Sequence, residues 1–233
     1  MKQFLYSLSI LCLIVSCAGE TEKTMTVNGT IKGLKKGTLY LQHVKDTTLV
    51  TVDSLEIEGD GNFTFKTELE SPELFYLYLI KKDNNDVNDR ISFFAEPGLI
   101  TVKTNWNTFA TKAEITGSKS HEKLQEYQKI MSRNNLRSLE LIQMSANQNA
   151  EYNEQELDSI TLLNNRQIQR NYVFAINFAI NNKDSYIAPY IAVKEIPEAN
   201  IIYLDSIASV LPEAVSNSKY GKELTLLLAK NEQ

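Results

Sequence analysis

Cysteine and histidine are scarce in this chain of 233 residues, which contains two of each. Both cysteines, Cys12 and Cys17, stand near the N-terminus, and the chain contains no C-x-x-C pair. Dithiol redox chemistry and a cysteine-based metal site are therefore excluded for the body of the chain. With only His43 and His121 as further strong metal ligands, we expect no metal and no other cofactor.

Runs of positive charge are also missing. The formal net charge is −5 and the sequence pI is about 5.2. Without a stretch rich in lysine and arginine, the sequence carries no electrostatic footprint for nucleic acid. Because the protein body is acidic, we expect it to have no electrostatic attraction to anionic lipid.

No apolar run is long enough to cross a bilayer as a helix, which takes about 20 residues. The longest such stretch, residues 4–15, follows Lys2 and ends in Leu-Ile-Val, and Ser16 and Cys17 come next. This arrangement is typical of a secretory signal, and its end resembles the bacterial lipobox. The resemblance implies that residues 1–16 are removed and that Cys17 is acylated. A signal without lipidation is the alternative.

Anchoring through Cys17 predicts a location in the cell envelope of a Gram-negative bacterium, on the outer membrane. Residues 17–24 are polar and form the predicted lipidated tether. The acidic residues Glu20 and Glu22 are either an address for export to the cell surface or part of a solvated linker. The acyl chains would hold the domain on the membrane.

Residues 25–117 show the pattern of about eight short strands. Residues 63–69 alternate strictly between apolar and polar, and Asp60-Gly61 is a strong hairpin signal. Residues 74–80 are continuously apolar and aromatic, which indicates a buried strand. The pattern predicts an antiparallel β-sandwich or a partly open barrel.

Residues 118–233 change to helical periodicity, with apolar residues every three or four positions. Asn153 and Glu156 form a capping-box pattern, and Asn200 has the composition of a second N-cap. We place Leu157, Ile160, Asn164, Ile168, Ala175 and Phe178 on one face of a long helix. The fold class is therefore α+β, with a C-terminal all-α segment.

Several short stretches together are similar to a known bacterial module. They are residues 29–41, 53–54, 61–65, 93–98, 116–118, 184–188 and 219–222. They resemble a domain of unknown function, with its helical segment, at the N-terminus of thioredoxin-like thiol:disulfide interchange lipoproteins of the TlpA type. The redox members continue into a thioredoxin fold with Trp-Cys-x-x-Cys. This sequence ends at Gln233 without that motif, so the resemblance implies the architecture and the anchor only.

Two surfaces are candidate contact sites. Aromatic side chains of the β region could form a binding face, for which we select Tyr76, Tyr78, Phe94 and Trp106. The alternative is that they only fill the core. Near the C-terminus, we select Tyr220, Leu226 and Leu228 as docking residues for a separate thioredoxin-like envelope protein. Here the alternative is that the last helix packs back on the helical segment.

Other clusters give weak signals. The acidic and amide residues of 83–89 could bind calcium, but they lack the EF-hand spacing and are better explained as a solvated hairpin loop. Ser54, Asp53 and His43 lack the context of a catalytic triad. We therefore expect a non-enzymatic envelope lipoprotein that binds a partner protein or ligand. The alternative is an accessory of an envelope thiol-disulfide system.

Lipidation at Cys17 is directly testable. Cells given labelled palmitate should incorporate it into the wild-type protein and not into Cys17→Ser, because only the thiol accepts the diacylglycerol. Cys12→Ser is the matched control and should label normally, since Cys12 precedes the predicted cleavage site. Equal labelling of wild type and Cys17→Ser would contradict the anchor.

Overall fold

The computed structural model describes residues 23–81, 89–146 and 152–231. Strands come first in the chain and helices follow, which confirms the α+β prediction. The strands of the described part are β1 (Thr24–Lys32), β2 (Lys36–Lys45), β3 (Thr48–Glu58), β4 (Asn62–Glu68), β5 (Glu73–Lys81), β6 (Asp89–Ala95), β7 (Gly98–Asn105) and β8 (Glu114–Thr116).

The strands form two four-stranded sheets that do not close into a barrel. Their orders are β4-β1-β7-β8 and β3-β2-β5-β6. Neighbouring strands are antiparallel except β1 and β7, which run parallel with Met25 opposite Gly98. The expectation of a purely antiparallel sandwich is wrong at this pair. The chain passes through the second sheet between β1 and β7, and such a long crossover permits parallel pairing.

Side chains from both sheets interdigitate in one core. Val27 and Val102 from the first sheet, and Leu39 and Leu77 from the second, are fully buried in the same cluster. Alternation along each strand sends every second side chain inward. The two sheets therefore form the sandwich that the period-two pattern predicts.

Six α-helices are described in the C-terminal part. They are α1 (Lys119–Ala146), α2 (Glu154–Asn181), α3 (Ile187–Tyr190), α4 (Ile201–Ala208), α5 (Glu213–Ser216) and α6 (Lys219–Asn231). A single π-helical turn, Ile191–Glu195, continues α3. The capping box at Asn153 and the N-cap at Asn200 are both confirmed. Within the described residues, no helix is both long and apolar enough to cross a membrane.

The helices cover the outer face of the second sheet. Phe94 of β6 points away from the sandwich core and is buried in a second cluster with residues of α1, α2 and α6. Leu74 of β5, which pairs with Phe94, packs against the same cluster. The junction between sheet and helices is therefore a second hydrophobic core.

Candidate functional site at the sheet–helix junction and the helical hairpin

Three aromatic rings join the sheet to the helices. The ring centre of Phe94 lies 5.8 Å from that of Tyr190 and 6.0 Å from that of Tyr220. The two tyrosine rings meet nearly edge to face at 5.1 Å. Aromatic pairs in these orientations stabilise more than their buried area alone would. The three rings therefore act as the apolar contact between the two parts of the chain.

The hydroxyl of Tyr220 is satisfied inside this junction. It accepts a hydrogen bond from the backbone N–H of Leu74 at 3.1 Å. Burial raises the pKa of Tyr220, and nearby carboxylates raise it further against the lowering effect of the Leu74 amide. Tyr220 therefore stays a neutral phenol that ties α6 to β5.

A buried carboxylate makes a second link. Glu73 of β5 is 7% exposed and accepts a hydrogen bond from Lys219 of α6. The Lys219 ammonium also donates to the carbonyl of Val44 in β2. His43 Nδ1 lies 3.1 Å from the other Glu73 oxygen. Because a buried charge needs a partner, this cluster fixes the start of α6 against two strands.

Glu96, in the turn between β6 and β7, caps helix α1. Its carboxylate accepts hydrogen bonds from the Ser118 hydroxyl at 2.9 Å and from the Ser120 hydroxyl at 2.6 Å. It also accepts the Ser120 backbone N–H at 3.2 Å. A carboxylate at a helix N-terminus satisfies otherwise unpaired amides and interacts favourably with the helix dipole. The cap therefore sets the direction in which α1 leaves the sandwich.

His121 is buried beside this cap. It is 4% exposed, and its Nδ1 accepts the Phe94 N–H at 3.4 Å. Burial lowers the pKa of His121 to about 4. The imidazole is therefore neutral near pH 7 and acts as a packing residue with one acceptor atom.

A cleft of about 260 Å³ opens where the sheet meets α6. Its walls include Tyr76, Tyr190 and Tyr220. Two lysines at its rim are paired within the molecule, Lys194 with Glu223 at 2.6 Å and Lys219 with Glu73. Both lysine charges are already neutralised by these carboxylates. The lysines therefore stabilise the junction and are not free to bind a charged ligand.

The predicted aromatic binding face is only partly assembled. Tyr76, Tyr78 and Phe94 share the outer face of the second sheet, and the Arg90 guanidinium lies 5.5 Å and 5.3 Å from the two tyrosine rings. Phe94 is fully buried and is not a surface residue. Trp106 is 42% exposed but belongs to a separate short 3-10 helix, where Lys81 lies over its ring.

The predicted docking residues of α6 also separate. Tyr220 is 4% exposed and lies inside the junction, so it is not a surface residue. Leu224 is fully buried, and Leu228 packs against the second cluster. Leu226 is 63% exposed. Helix α6 thus packs back on the helical segment, as the alternative interpretation had it, and presents Leu226 to the outside.

The three candidate triad residues do not come together in the structure. His43 contacts Glu73 instead of Asp53, and it pairs with Val50 in the β2–β3 register while Ser54 pairs with Tyr40. No triad is therefore assembled. The proposed calcium loop falls almost entirely on residues 82–88, outside the described residues, as does Cys17. Within the described part of the chain, no cluster of potential metal ligands occurs.

Helices α1 and α2 form an antiparallel hairpin, and we call the strip of residues through which they face each other the contact line. Each has 28 residues, a length of about 42 Å. Near the sheets the contact is aromatic, with the rings of Tyr127 and Phe174 stacked 5.7 Å apart. Further out, polar side chains share the contact with the buried Leu141 and Ile160. Asn171 donates to Asn135 at 3.5 Å, and the buried Ser138 hydroxyl lacks a hydrogen-bond partner in the described structure.

The apolar residues of the outer half lie largely outside this contact line. Ile160, Ala175 and Phe178 are buried, as expected, but Leu157 and Ile168 are 39% and 42% exposed. The predicted face is therefore not buried along its whole length. At 100° per residue Leu157 and Ile168 stand roughly 60° and 80° from Ile160. Sequence periodicity could not show that these two side chains are exposed, because residues spaced three or four positions apart can differ in direction by these angles and still fit a helical pattern.

Comparison with known families covers the β region. Residues 25–124 match the family model described as Domain of unknown function (DUF4369). The matched region contains both sheets and the first turn and a half of α1, including the buried His121 and Leu124. No curated protein matches the chain.

The Tyr220 hydroxyl should contribute to stability. Tyr220→Phe keeps the ring but leaves the Leu74 N–H without its acceptor, so we expect a loss of about 1 kcal/mol in unfolding free energy in urea titrations. Tyr203→Phe is the matched control, because Tyr203 is 52% exposed and the loss there should be within about 0.5 kcal/mol. Equal effects of the two substitutions would contradict the structural role of the hydroxyl.

Burial of neutral His121 should make stability depend on pH. Its pKa falls from 6.5 in the unfolded chain to about 4 in the folded protein. The unfolded state therefore binds more protons between these values, and stability drops as pH falls from 6.5 to 4, by up to about 3 kcal/mol. His121→Asn keeps an acceptor without titrating and should show a flatter profile in urea titrations. Parallel profiles would refute this assignment.

Proposed function

We propose that this protein is a non-catalytic envelope lipoprotein, anchored through Cys17, that binds a partner protein with the α1–α2 hairpin. The outer membrane is its proposed location. The observation that carries the proposal is the exposure of leucine and isoleucine side chains on the outer hairpin. Amide and hydroxyl side chains share the contact line with the buried Leu141 and Ile160, while other leucine and isoleucine side chains lie outside it.

One side of the hairpin gathers these residues into what we name the apolar face: Leu139, Ile142, Leu157 and Ile168. They are 49%, 50%, 39% and 42% exposed. In an antiparallel pair, residues rotated in the same sense from the contact line lie on the same side. All four stand roughly 60–120° from the contact line in that sense. By the Asn135–Asn171 register, Leu139 and Ile168 lie nearly level, so the face spans both helices.

The surroundings suit a protein partner. Thr161 and Glu154 lie on the same side and are exposed, so the apolar residues have polar neighbours. An exposed apolar patch with a polar rim is typical of a protein interaction site. Further along the hairpin surface, Leu136 and Leu162 are also exposed, at 61% and 52%. A lone structural helix pair would gain more by placing these side chains in the contact line.

A second candidate follows from Leu226. In this version the protein is an accessory of an envelope thiol-disulfide system, as the similarity to TlpA-type lipoproteins suggests, and a thioredoxin-like protein docks on α6. The 63% exposure of Leu226 supports it. With its apolar neighbours Leu224 and Leu228 directed into the protein, α6 offers a smaller surface than the hairpin.

Crosslinking in intact cells can separate these sites. A photo-reactive residue at Ile142 should give an adduct with another polypeptide, because it lies within the apolar face. Lys129, an exposed α1 residue opposite the contact line, is the control and should give little adduct. A probe at Leu226 tests the second candidate.

The apolar face is supported if Leu139→Ser abolishes the Ile142 adduct while the circular dichroism spectrum and melting curve stay unchanged. Adducts of equal yield at Ile142 and Lys129 would contradict it. Adducts from Leu226 alone, with a thioredoxin-like protein, would favour the accessory role.

A further inference from the structure

Arginine is distributed unevenly over this molecule. The chain has five arginines, and four of them, Arg133, Arg137, Arg166 and Arg170, lie in the hairpin. The fifth, Arg90, lies against Tyr76 and Tyr78 of the sheet. Elsewhere the positive charges are lysines. The hairpin thus concentrates the side chain that binds anions with a planar, two-pronged geometry.

The four arginines come together on one side of the hairpin, which we name the arginine face. Each helix contributes an i, i+4 pair, and all four stand about 80–120° from the contact line, in the sense opposite to the apolar face. The contact of Asn135 with Asn171 sets the register, so Arg137 lies level with residue 169, between Arg166 and Arg170. Along the hairpin the cluster spans about 10 Å.

These guanidinium groups are accessible. All four residues are exposed. Arg137 pairs with Glu140 at 2.8 Å in a pair whose side chains are more than half exposed, and such pairs are weak. Among the residues that the structure describes, Arg133, Arg166 and Arg170 have no ion-pair partner. Like charges packed this closely repel one another, so an anion bound between them would reduce the electrostatic repulsion.

A groove beside the cluster adds an apolar wall. It encloses about 420 Å³ and is lined by Arg166, Gln169, Arg170, Val173 and Phe174. Guanidinium groups next to exposed Val173 match a molecule with an anionic group joined to an apolar part. Phosphate on a lipid headgroup has this combination.

The proposed Cys17 anchor places a bilayer within reach of the hairpin. Lys23 and Lys119, the first residue of α1, line one groove at the base of the hairpin. Residues 17–22 can span about 20 Å between an acylated Cys17 and this point. The arginine face begins about 21 Å along α1 from Lys119. A hairpin lying along the membrane can therefore bring the arginines to the headgroups while the tether stays attached.

We propose that the arginine face binds the phosphate groups of anionic lipids at the membrane surface and so orients the anchored protein. The orientation rests on the proposed Cys17 anchor, whereas binding of the face to lipid phosphate does not. With a net charge of −5, the protein as a whole gains nothing from an anionic surface. A local cluster of four arginines is attractive only at short range, within a Debye length. The anchor supplies that proximity by raising the effective concentration of lipid.

The test uses the mature polypeptide from residue 18, made without lipid, in cosedimentation with vesicles. One vesicle preparation contains phosphatidylglycerol mixed with phosphatidylcholine, and the other contains phosphatidylcholine alone. We expect binding only to the first, weakening as salt rises. Each arginine near an anionic surface gives roughly a fivefold gain, so the quadruple substitution of the four arginines by glutamine should weaken binding at least about tenfold.

The matched control replaces four exposed lysines of the β region, Lys32, Lys35, Lys36 and Lys112, by glutamine. It makes the same change in net charge and should bind as wild type does. Equal loss in both variants would overturn the proposal, as would binding that does not depend on phosphatidylglycerol. Calorimetry with inorganic phosphate distinguishes binding of free phosphate from binding of lipid headgroups. Tight binding of free phosphate without vesicle binding would also overturn the proposal. Because this protein carries no lipid, failure here leaves the palmitate result for Cys17 unaffected.

Discussion

The burial of Phe94 on the outer face of the second sheet is the constraint on which the rest of this structure depends. A sandwich of this size can fold with polar residues on its outer faces, but Phe94 and Leu74 make one patch of that face apolar. Helices must cover it, and Tyr190 and Tyr220 do so. Glu73 and Lys219 then fix the position of α6, so the sheet and the C-terminal helices are held as one packed unit.

The α1–α2 hairpin extends away from this packed unit. Glu96 directs α1 away from the sandwich, and α2 returns the chain to the junction, so the outer halves of both helices have only each other to pack against. Their contact line combines the buried Leu141 and Ile160 with amides and hydroxyls, and burial of these polar groups gives little net stabilisation. The junction therefore stabilises the fold, and the outer hairpin is available for contacts with other molecules.

The hairpin has two chemically different sides, and each suits a different partner. Leucine and isoleucine with polar neighbours suit a protein surface, and four arginines suit phosphate. A protein anchored as we propose would meet both, with the membrane on one side and envelope proteins on the other. The junction cleft contains more aromatic residues than the hairpin surface. It is nevertheless less suited to binding than the hairpin, because its lysines already pair with Glu73 and Glu223.

The sequence by itself determined the local features. Period-two alternation located the strands, Asn153 and Asn200 marked helix starts, and the change of periodicity after Gly117 separated sheets from helices, because backbone preference and turn chemistry act over a few residues. Tertiary structure alone decided the rest. The parallel β1–β7 pair, the burial of Phe94 and Tyr220, and the assembly of the arginine face all join residues distant in sequence. Two arginine pairs some 30 positions apart show no basic run, and only the antiparallel return of α2 places them side by side.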